Sequence, residues 1–101
     1  MLLCEVSLGK SMLMTCGNYK ADQIARAGGY HSVHGVGMRQ PKNDEAIERG
    51  GIKIPMGQLV SNPTVERSDL LYNEYIVYDV AQVRLRYLVQ CCINFHRSEC
   101  Y

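Results

Sequence analysis

Leu71-Tyr72-Asn73-Glu74-Tyr75-Ile76-Val77-Tyr78 is followed, after Asp79-Val80-Ala81-Gln82, by Val83-Arg84-Leu85-Arg86-Tyr87-Leu88-Val89-Gln90-Cys91-Cys92-Ile93-Asn94-Phe95-His96. This last third of the chain decides its class. The first segment is dense in aromatic and β-branched residues, which suit a pleated strand. In the second, Val83, Leu85, Tyr87, Val89, Cys91, Ile93 and Phe95 take every other position. Arg84, Arg86, Gln90, Asn94 and His96 fall between them, with Leu88 and Cys92 as exceptions. A period of two sustained this long predicts a long strand from Val83 to His96 with one buried face. Asp79 to Gln82 reads as a short break.

Upstream the elements are shorter. Residues 2–8 read as a strand closed by Gly9, and Met12 to Cys16 as a second. Asn18 is placed to cap a brief helix over Tyr19–Ala27, with Ala21, Ile24 and Ala25 on one side and Gly28 as its stop. Gly28 to Gly37, which holds His31 and His34, reads as an irregular loop, and Pro41 to Ala46 as a polar turn. Ile47, the Gly50-Gly51 turn, then Ile52 and Ile54 predict a hairpin over 46–56, ended by Pro55. Residues 57–69 read as a polar connection. The class is α+β, mostly antiparallel β with one short helix. The chain starts within a regular element, so the expectation is a partial domain over 1–101 with a partner segment upstream.

With 101 residues and a formal charge of +1, the chain is sized for one domain and carries no basic stripe for nucleic acid. We therefore expect no direct nucleic-acid binding by this segment. No apolar run approaches the roughly 20 residues that span a bilayer, and no membrane association is expected. The opening residues lack the basic start of a signal peptide. Cys4, Cys16, Cys91, Cys92 and Cys100 are odd in number and include no Cys-x-x-Cys pair. They read as reduced intracellular thiols serving as small apolar residues, and neither a disulfide framework nor a metal site is expected. If both lie on the long strand, Cys91 and Cys92 point to opposite faces. His31 and His34 lack further ligands at sensible spacing and are expected to hydrogen-bond within their loop. Gly35-x-Gly37 lacks the strand-to-helix junction of a phosphate cradle.

Glu74 is the residue that invites a chemical role. By strand periodicity it shares a face with Tyr72, Ile76 and Tyr78, while Asn73 and Tyr75 point the other way. Burying a carboxylate among such neighbours is costly without a hydrogen-bond partner. From the residues alone two readings stand. Glu74 is a solvated charge on an edge strand, where it discourages sheet-to-sheet pairing, or its partner is a ligand or another element.

Four blocks resemble the poly(ADP-ribose) polymerase family. Leu70 to Asp79, followed by Ala81-Gln82-Val83-Arg84-Leu85-Arg86-Tyr87-Leu88, is similar to that family's C-terminal signature. Leu2-Leu3-Cys4-Glu5-Val6-Ser7-Leu8-Gly9 resembles its leucine-leucine-x-glutamate-valine-alanine-leucine-glycine strand. His31 to Gly37 resembles its glycine-rich loop, and Gly51 to Gly57 its short hairpin. The blocks come in family order and cover nearly the whole chain; the first and last are the specific ones.

The resemblance implies the C-terminal part of an ADP-ribosyltransferase fold. Such enzymes take NAD⁺ as substrate, release nicotinamide and pass ADP-ribose to acceptor proteins or to growing poly(ADP-ribose). The family's catalytic glutamate falls on Glu74, which would also bind the nicotinamide-ribose 2′-hydroxyl. Leu71 and Tyr72 match positions on the acceptor side. A glutamate there implies elongation of polymer over single transfer. The family's other two site residues, a histidine in a His-Gly-Ser/Thr motif and a tyrosine that stacks on nicotinamide, lie upstream of the leucine-rich strand. Neither His31 and His34 nor Tyr19 and Tyr30 match them. The chain alone is thus expected to be inactive, needing the upstream part of the same domain. Its rival reading is a non-catalytic remnant acting through protein contacts. The resemblance further implies a nuclear protein of DNA repair, with any strand-break sensors outside this segment.

Overall fold

The computed structural model describes residues 1–94. In chain order the elements are β1 (Leu2–Val6), β2 (Ser11–Met14), α1 (Ala21–Ala27), β3 (Ser32–Gly35), β4 (Arg39–Pro41), β5 (Ile47–Arg49), β6 (Ile52–Ile54), β7 (Leu59–Ser61), β8 (Glu74–Val77) and β9 (Val83–Leu88). Short 3₁₀ turns occupy Asn43–Glu45 and Val80–Gln82. The pairs β1–β9, β3–β8, β4–β7 and β5–β6 are antiparallel; β2–β3 is parallel. The fold is α+β and mostly antiparallel, as the sequence predicts.

The core gathers around β3, the central strand of the three-stranded sheet β2-β3-β8. Among the described residues the buried apolar side chains are Ala25, Val33 and Val36. Ser32 is fully buried beside them. Its hydroxyl donates to the Leu8 carbonyl at 2.7 Å and lies 2.6 Å from the Ser11 hydroxyl, so its polarity is satisfied. The parallel pairing of β2 with β3 requires a crossover, and α1 lies in it, setting Ala25 beside β3. Gly28 ends α1 as expected, but the helix starts two residues later than Tyr19. Asn18 acts in the turn before it: its side chain accepts from Lys20 N at 2.9 Å and its carbonyl from Ala21 N at 3.0 Å.

Several expectations are corrected. Residues 28–37 are not one irregular loop: Ser32–Gly35 is the most protected strand of the molecule. It lacks alternation because it is covered on both faces, and its flanking glycines read as punctuation. The polar stretch 57–69 contains β7, which pairs with β4 through Arg39↔Ser61, Gln40↔Val60 and Pro41↔Leu59. The strand expected over 71–78 begins only at Glu74. The first two strands are shorter than predicted, ending at Val6 and Met14. The 46–56 hairpin is present, with Gly50 and Gly51 at φ of 57° and 79°, the left-handed region a tight turn needs.

The largest departure concerns β9. It ends at Leu88 rather than at His96; Phe95 and His96 lie outside the described residues. Its alternation does not mark a buried face, since Leu85 is 65% and Tyr87 66% exposed. β9 pairs with β1 from Val83↔Val6 to Leu88↔Leu2, and the ladder finishes with Met1 and Val89 exchanging bonds of 2.8 and 2.9 Å. Cys91 and Cys92 lie outside any strand, and both are exposed.

Gln82 ties this ribbon to the sheet. Asp79 caps the 3₁₀ turn by accepting from Ala81 N at 2.9 Å, and Gln82 Oε1 accepts from Asp79 N, a reciprocal pair. The Gln82 amide then donates to Ser7 O and His31 O, each at 2.9 Å. One side chain thus joins the carbonyl just after β1 to the carbonyl just before β3. We expect Gln82→Ala to lower stability by about 1–2 kcal/mol, the net worth of one or two such bonds. A denaturant midpoint equal to that of the parent protein would contradict this role.

Candidate functional site

The site is built by the register between β3 and β8: Ser32↔Val77, Val33↔Ile76, His34↔Tyr75 and Gly35↔Glu74. Directly opposed residues on antiparallel strands share a face. Glu74 therefore stands on the side of Gly35, Val33 and Ile76. A Cβ on Gly35 would come within 3.5 Å of Glu74 Cβ and would collide with the Leu70 side chain. The glycine thus leaves the space beside Glu74 Cβ open. Glu74 is exposed, and β8 is an edge strand of its sheet. Of the two readings left open by the residues, the face is solvated.

Further along the same side, Ile76 and Tyr78 line a shallow hollow of about 300 Å³ with Tyr19, Ala21 and Asp22. The Arg26 guanidinium lies 5.9 Å from the Tyr78 ring centroid, within cation–π range, and joins the end of α1 to the end of β8. Burial, then the Asp22 charge, push the Tyr78 phenol above its usual range, with Arg26 partly opposing.

The other face of β8 looks into a cavity of about 1020 Å³. His34, Tyr75, Tyr72 and Asn73 form part of its wall, with Arg39 and Lys53 as cationic members. His34 and Tyr75 are stacked, ring centroids 4.4 Å apart and planes inclined by 23°. Burial raises the Tyr75 phenol above its ordinary value, so it stays neutral at physiological pH. His34 Nε2 is buried without a hydrogen-bond partner among the described residues, contrary to the expectation of a bond within a loop. His31 Nδ1 accepts from Lys10 N at 3.0 Å, a partner outside the expected loop.

Of the residues singled out from sequence, Glu74 does not line this cavity, and Leu71 is exposed. Tyr72 was expected on Glu74's face, but lies with Asn73 and Tyr75 on the cavity wall. The physical reason is that β8 starts at Glu74. Residues 70–73 are held instead by the residues after Gly37, where Met38 N and Arg39 N donate to Leu70 O and Leu71 O, both at 2.9 Å, and Arg39 bridges to Tyr72. Strand alternation does not extend through such a junction.

Two residues that place Glu74 escaped the sequence reading. Asn73 accepts from Gly37 N at 2.9 Å, and Gly37 O in turn accepts from Asn62 Nδ2 at 3.3 Å. Gly37 permits the approach: a Cβ there would lie 2.6 Å from both Asn73 N and Tyr72 Cα. The signal was present as Gly35-x-Gly37, but its use is close backbone packing rather than ligand cradling.

The chain was also compared with known proteins. The sequence model of the poly(ADP-ribose) polymerase catalytic domain matches residues 1–93. Poly(ADP-ribose) polymerase 2-B of Oryza sativa subsp. japonica is 42% identical over 98 residues, which are 96% of this chain and 16% of that protein. Poly(ADP-ribose) polymerase 1 of Arabidopsis thaliana is 44% identical over 91 residues, 89% of this chain and 9% of its own length. The Danio rerio protein named poly(ADP-ribose) polymerase 1 is 40% identical over 98 residues, 96% of this chain and 9% of that protein. The chain thus spans only 9% to 16% of these relatives.

Proposed function

The chain belongs to the poly(ADP-ribose) polymerase catalytic-domain family, and from that premise we propose that it supplies the glutamate-bearing part of an NAD⁺-dependent ADP-ribosyltransferase domain. Glu74 is its catalytic carboxylate. The observation that carries this reading is the placement of Glu74: exposed, across from a residue with no side chain, on a strand at the edge of its sheet. An upstream segment of the same domain is the natural source of the histidine and tyrosine that complete the site.

Cleavage of the bond between nicotinamide and ribose passes through a state resembling an oxocarbenium ion. A fixed carboxylate serves it in two ways. It accepts a hydrogen bond from the ribose 2′-hydroxyl and stabilises the positive charge that grows on the ring. It also orients or deprotonates the incoming acceptor hydroxyl, which makes polymer growth its most sensitive readout. Leu71 and Tyr72, adjoining Glu74, are assigned to the acceptor side. NAD⁺ and acceptor proteins are the substrates on this reading, no metal is invoked, and the compartment is the nucleus. Substitution of Glu74 in the complete domain tests the assignment and is argued in the Discussion.

A second reading is a non-catalytic remnant acting through protein contacts. Leu2, Leu3, Leu85, Tyr87 and Leu88 are all more than half exposed on the β1–β9 ribbon. Both readings require that ribbon to be covered, because apolar area of this kind drives association. They differ in what covers it. On the proposed reading, isolated residues 1–101 associate on concentration, bind a hydrophobic dye and show no NAD⁺ turnover. A monomer with a single cooperative melting transition would favour the remnant, and measurable turnover would overturn the need for upstream residues.

A further inference from the structure

β3 ends at Gly35, and the next residues, Val36, Gly37 and Met38, leave the ladder with β8. Val36 and Gly37 are nevertheless buried, so their backbone groups need partners from elsewhere. The N–H groups of Val36, Gly37 and Met38 donate to Met14 O, Asn73 Oδ1 and Leu70 O at 2.7, 2.9 and 2.9 Å. On the carbonyl side, Val36 O accepts from the Ser68 hydroxyl and Met38 O from Asn62 N at 2.8 Å. Gly37 O accepts from Asn62 Nδ2, its one partner among the described residues. Asn62 is itself buried, with 6% of its surface exposed. Its Oδ1 accepts from Thr64 N at 3.0 Å and from Thr64 Oγ1 at 2.7 Å. Those two bonds turn the amide so that its N–H end faces Gly37.

We propose that Asn62 is a positioning residue for Glu74, acting through Gly37 and Asn73. The inference rests on the transferase reading, in which Glu74 touches substrate. Gly37 must lack a side chain for Tyr72 and Asn73 to approach, and glycine has the least restrained backbone of any residue. Something other than its own sterics has to fix its dihedral angles. Asn62 does so on the carbonyl side and Asn73 on the N–H side. Asn73 immediately precedes Glu74, where the register with Gly35 begins. Without Asn62 Nδ2, Gly37 O is a buried acceptor with no donor, and it regains one only by rotating towards water. Rotation shifts Gly37 N, then Asn73, then the carboxylate. Catalytic groups act within about 0.5 Å of their productive geometry, and a misplacement of about 1 Å costs up to roughly 10²-fold in rate. Asn62 is thus placed to control the rate without touching substrate.

The test compares Asn62→Asp with the parent in the complete protein, at a temperature below both melting midpoints. Aspartate keeps the shape and the oxygen that Thr64 bonds, but turns a second oxygen rather than an N–H towards Gly37 O. Should that variant not fold, Asn62→Ala, which places no charge in the buried position, carries the same comparison. Elongation is expected to fall about 10- to 10²-fold in kcat, with KM for NAD⁺ nearly unchanged and hydrolysis of NAD⁺ reduced less. That split is the one expected of Glu74→Gln. In a Glu74→Gln background the Asn62 substitution should lower elongation no further, because both act on one carboxylate. Gln82→Ala, which loses two hydrogen bonds elsewhere in the fold, should lower the melting temperature without shifting the ratio of elongation to hydrolysis. Elongation and hydrolysis falling in equal proportion would make Asn62 merely structural and overturn the proposal. Full multiplication of the Asn62 and Glu74 losses would do the same, as would unchanged elongation. If Glu74→Gln itself leaves elongation intact, the transferase reading of Glu74 has failed and this inference with it; the other adverse results sink the inference alone.

Discussion

Glu74→Gln in the complete catalytic domain is expected to reduce polymer elongation by roughly 10²–10⁴-fold, the usual contribution of a positioned acid–base group. The substitution keeps the shape of the side chain and one carbonyl acceptor. It removes the negative charge and the basic oxygen. An acceptor hydroxyl depends on that oxygen to be oriented and deprotonated, so chain growth should fall furthest. Hydrolysis of NAD⁺ uses water, a smaller and self-orienting nucleophile, and should fall less. The parallel measurement is stability. Glu74 is exposed and accepts no hydrogen bond within the described residues, so the folded state should change by no more than about 0.5 kcal/mol. Loss of elongation with an unchanged melting midpoint is the signature expected of a residue that acts on substrate. Polymer of undiminished length on a sequencing gel would remove Glu74 from the mechanism.

Gly37→Ala should have the largest effect on stability, about 3 kcal/mol or more, because the new methyl group meets main chain rather than a yielding side chain. Asn73 N and Tyr72 Cα would each lie 2.6 Å from it. Relief requires residues 70–73 to separate from 37–39. That movement breaks the bond from Gly37 N to Asn73 and those from Met38 and Arg39 to Leu70 and Leu71. Glu74, the next residue, then loses its register against Gly35. Activity and melting temperature should therefore fall together, unlike the result for Glu74→Gln. Gly17→Ala is the matched control, since a Cβ there meets nothing within 4 Å and its φ is not positive. Equal melting temperatures for the two alanine variants would show that the approach at Gly37 is not tight.

The same contrast shows how much could be read beforehand. Chemical type and local period were legible: an acidic residue in an aromatic strand, a Gly-Gly hairpin, a short helix stopped by Gly28. These depend on dihedral preferences and on neighbours a few residues away. The motif blocks that carry the family resemblance were legible for the same reason, being contiguous. What failed was every inference that needed a distant partner. Leu85 and Tyr87 alternate as a covered strand does, yet nothing in their own segment says whether a second layer exists. Ser32-Val33-His34-Gly35 looks like a loop because a strand buried on both faces has no alternation to display.

By itself, then, the sequence determined the class of the fold and the family, and it singled out Glu74 as the carboxylate on which the proposed chemistry rests. Its physical basis is local, because side-chain type and backbone preference travel with the residue. Only the tertiary structure decided that Glu74 faces Gly35 and solvent, and that Tyr72 turns to the opposite cavity. Each of these depends on register between segments tens of residues apart. Register is set where Gly37 lets two backbones touch, a fact not written in the residues it controls.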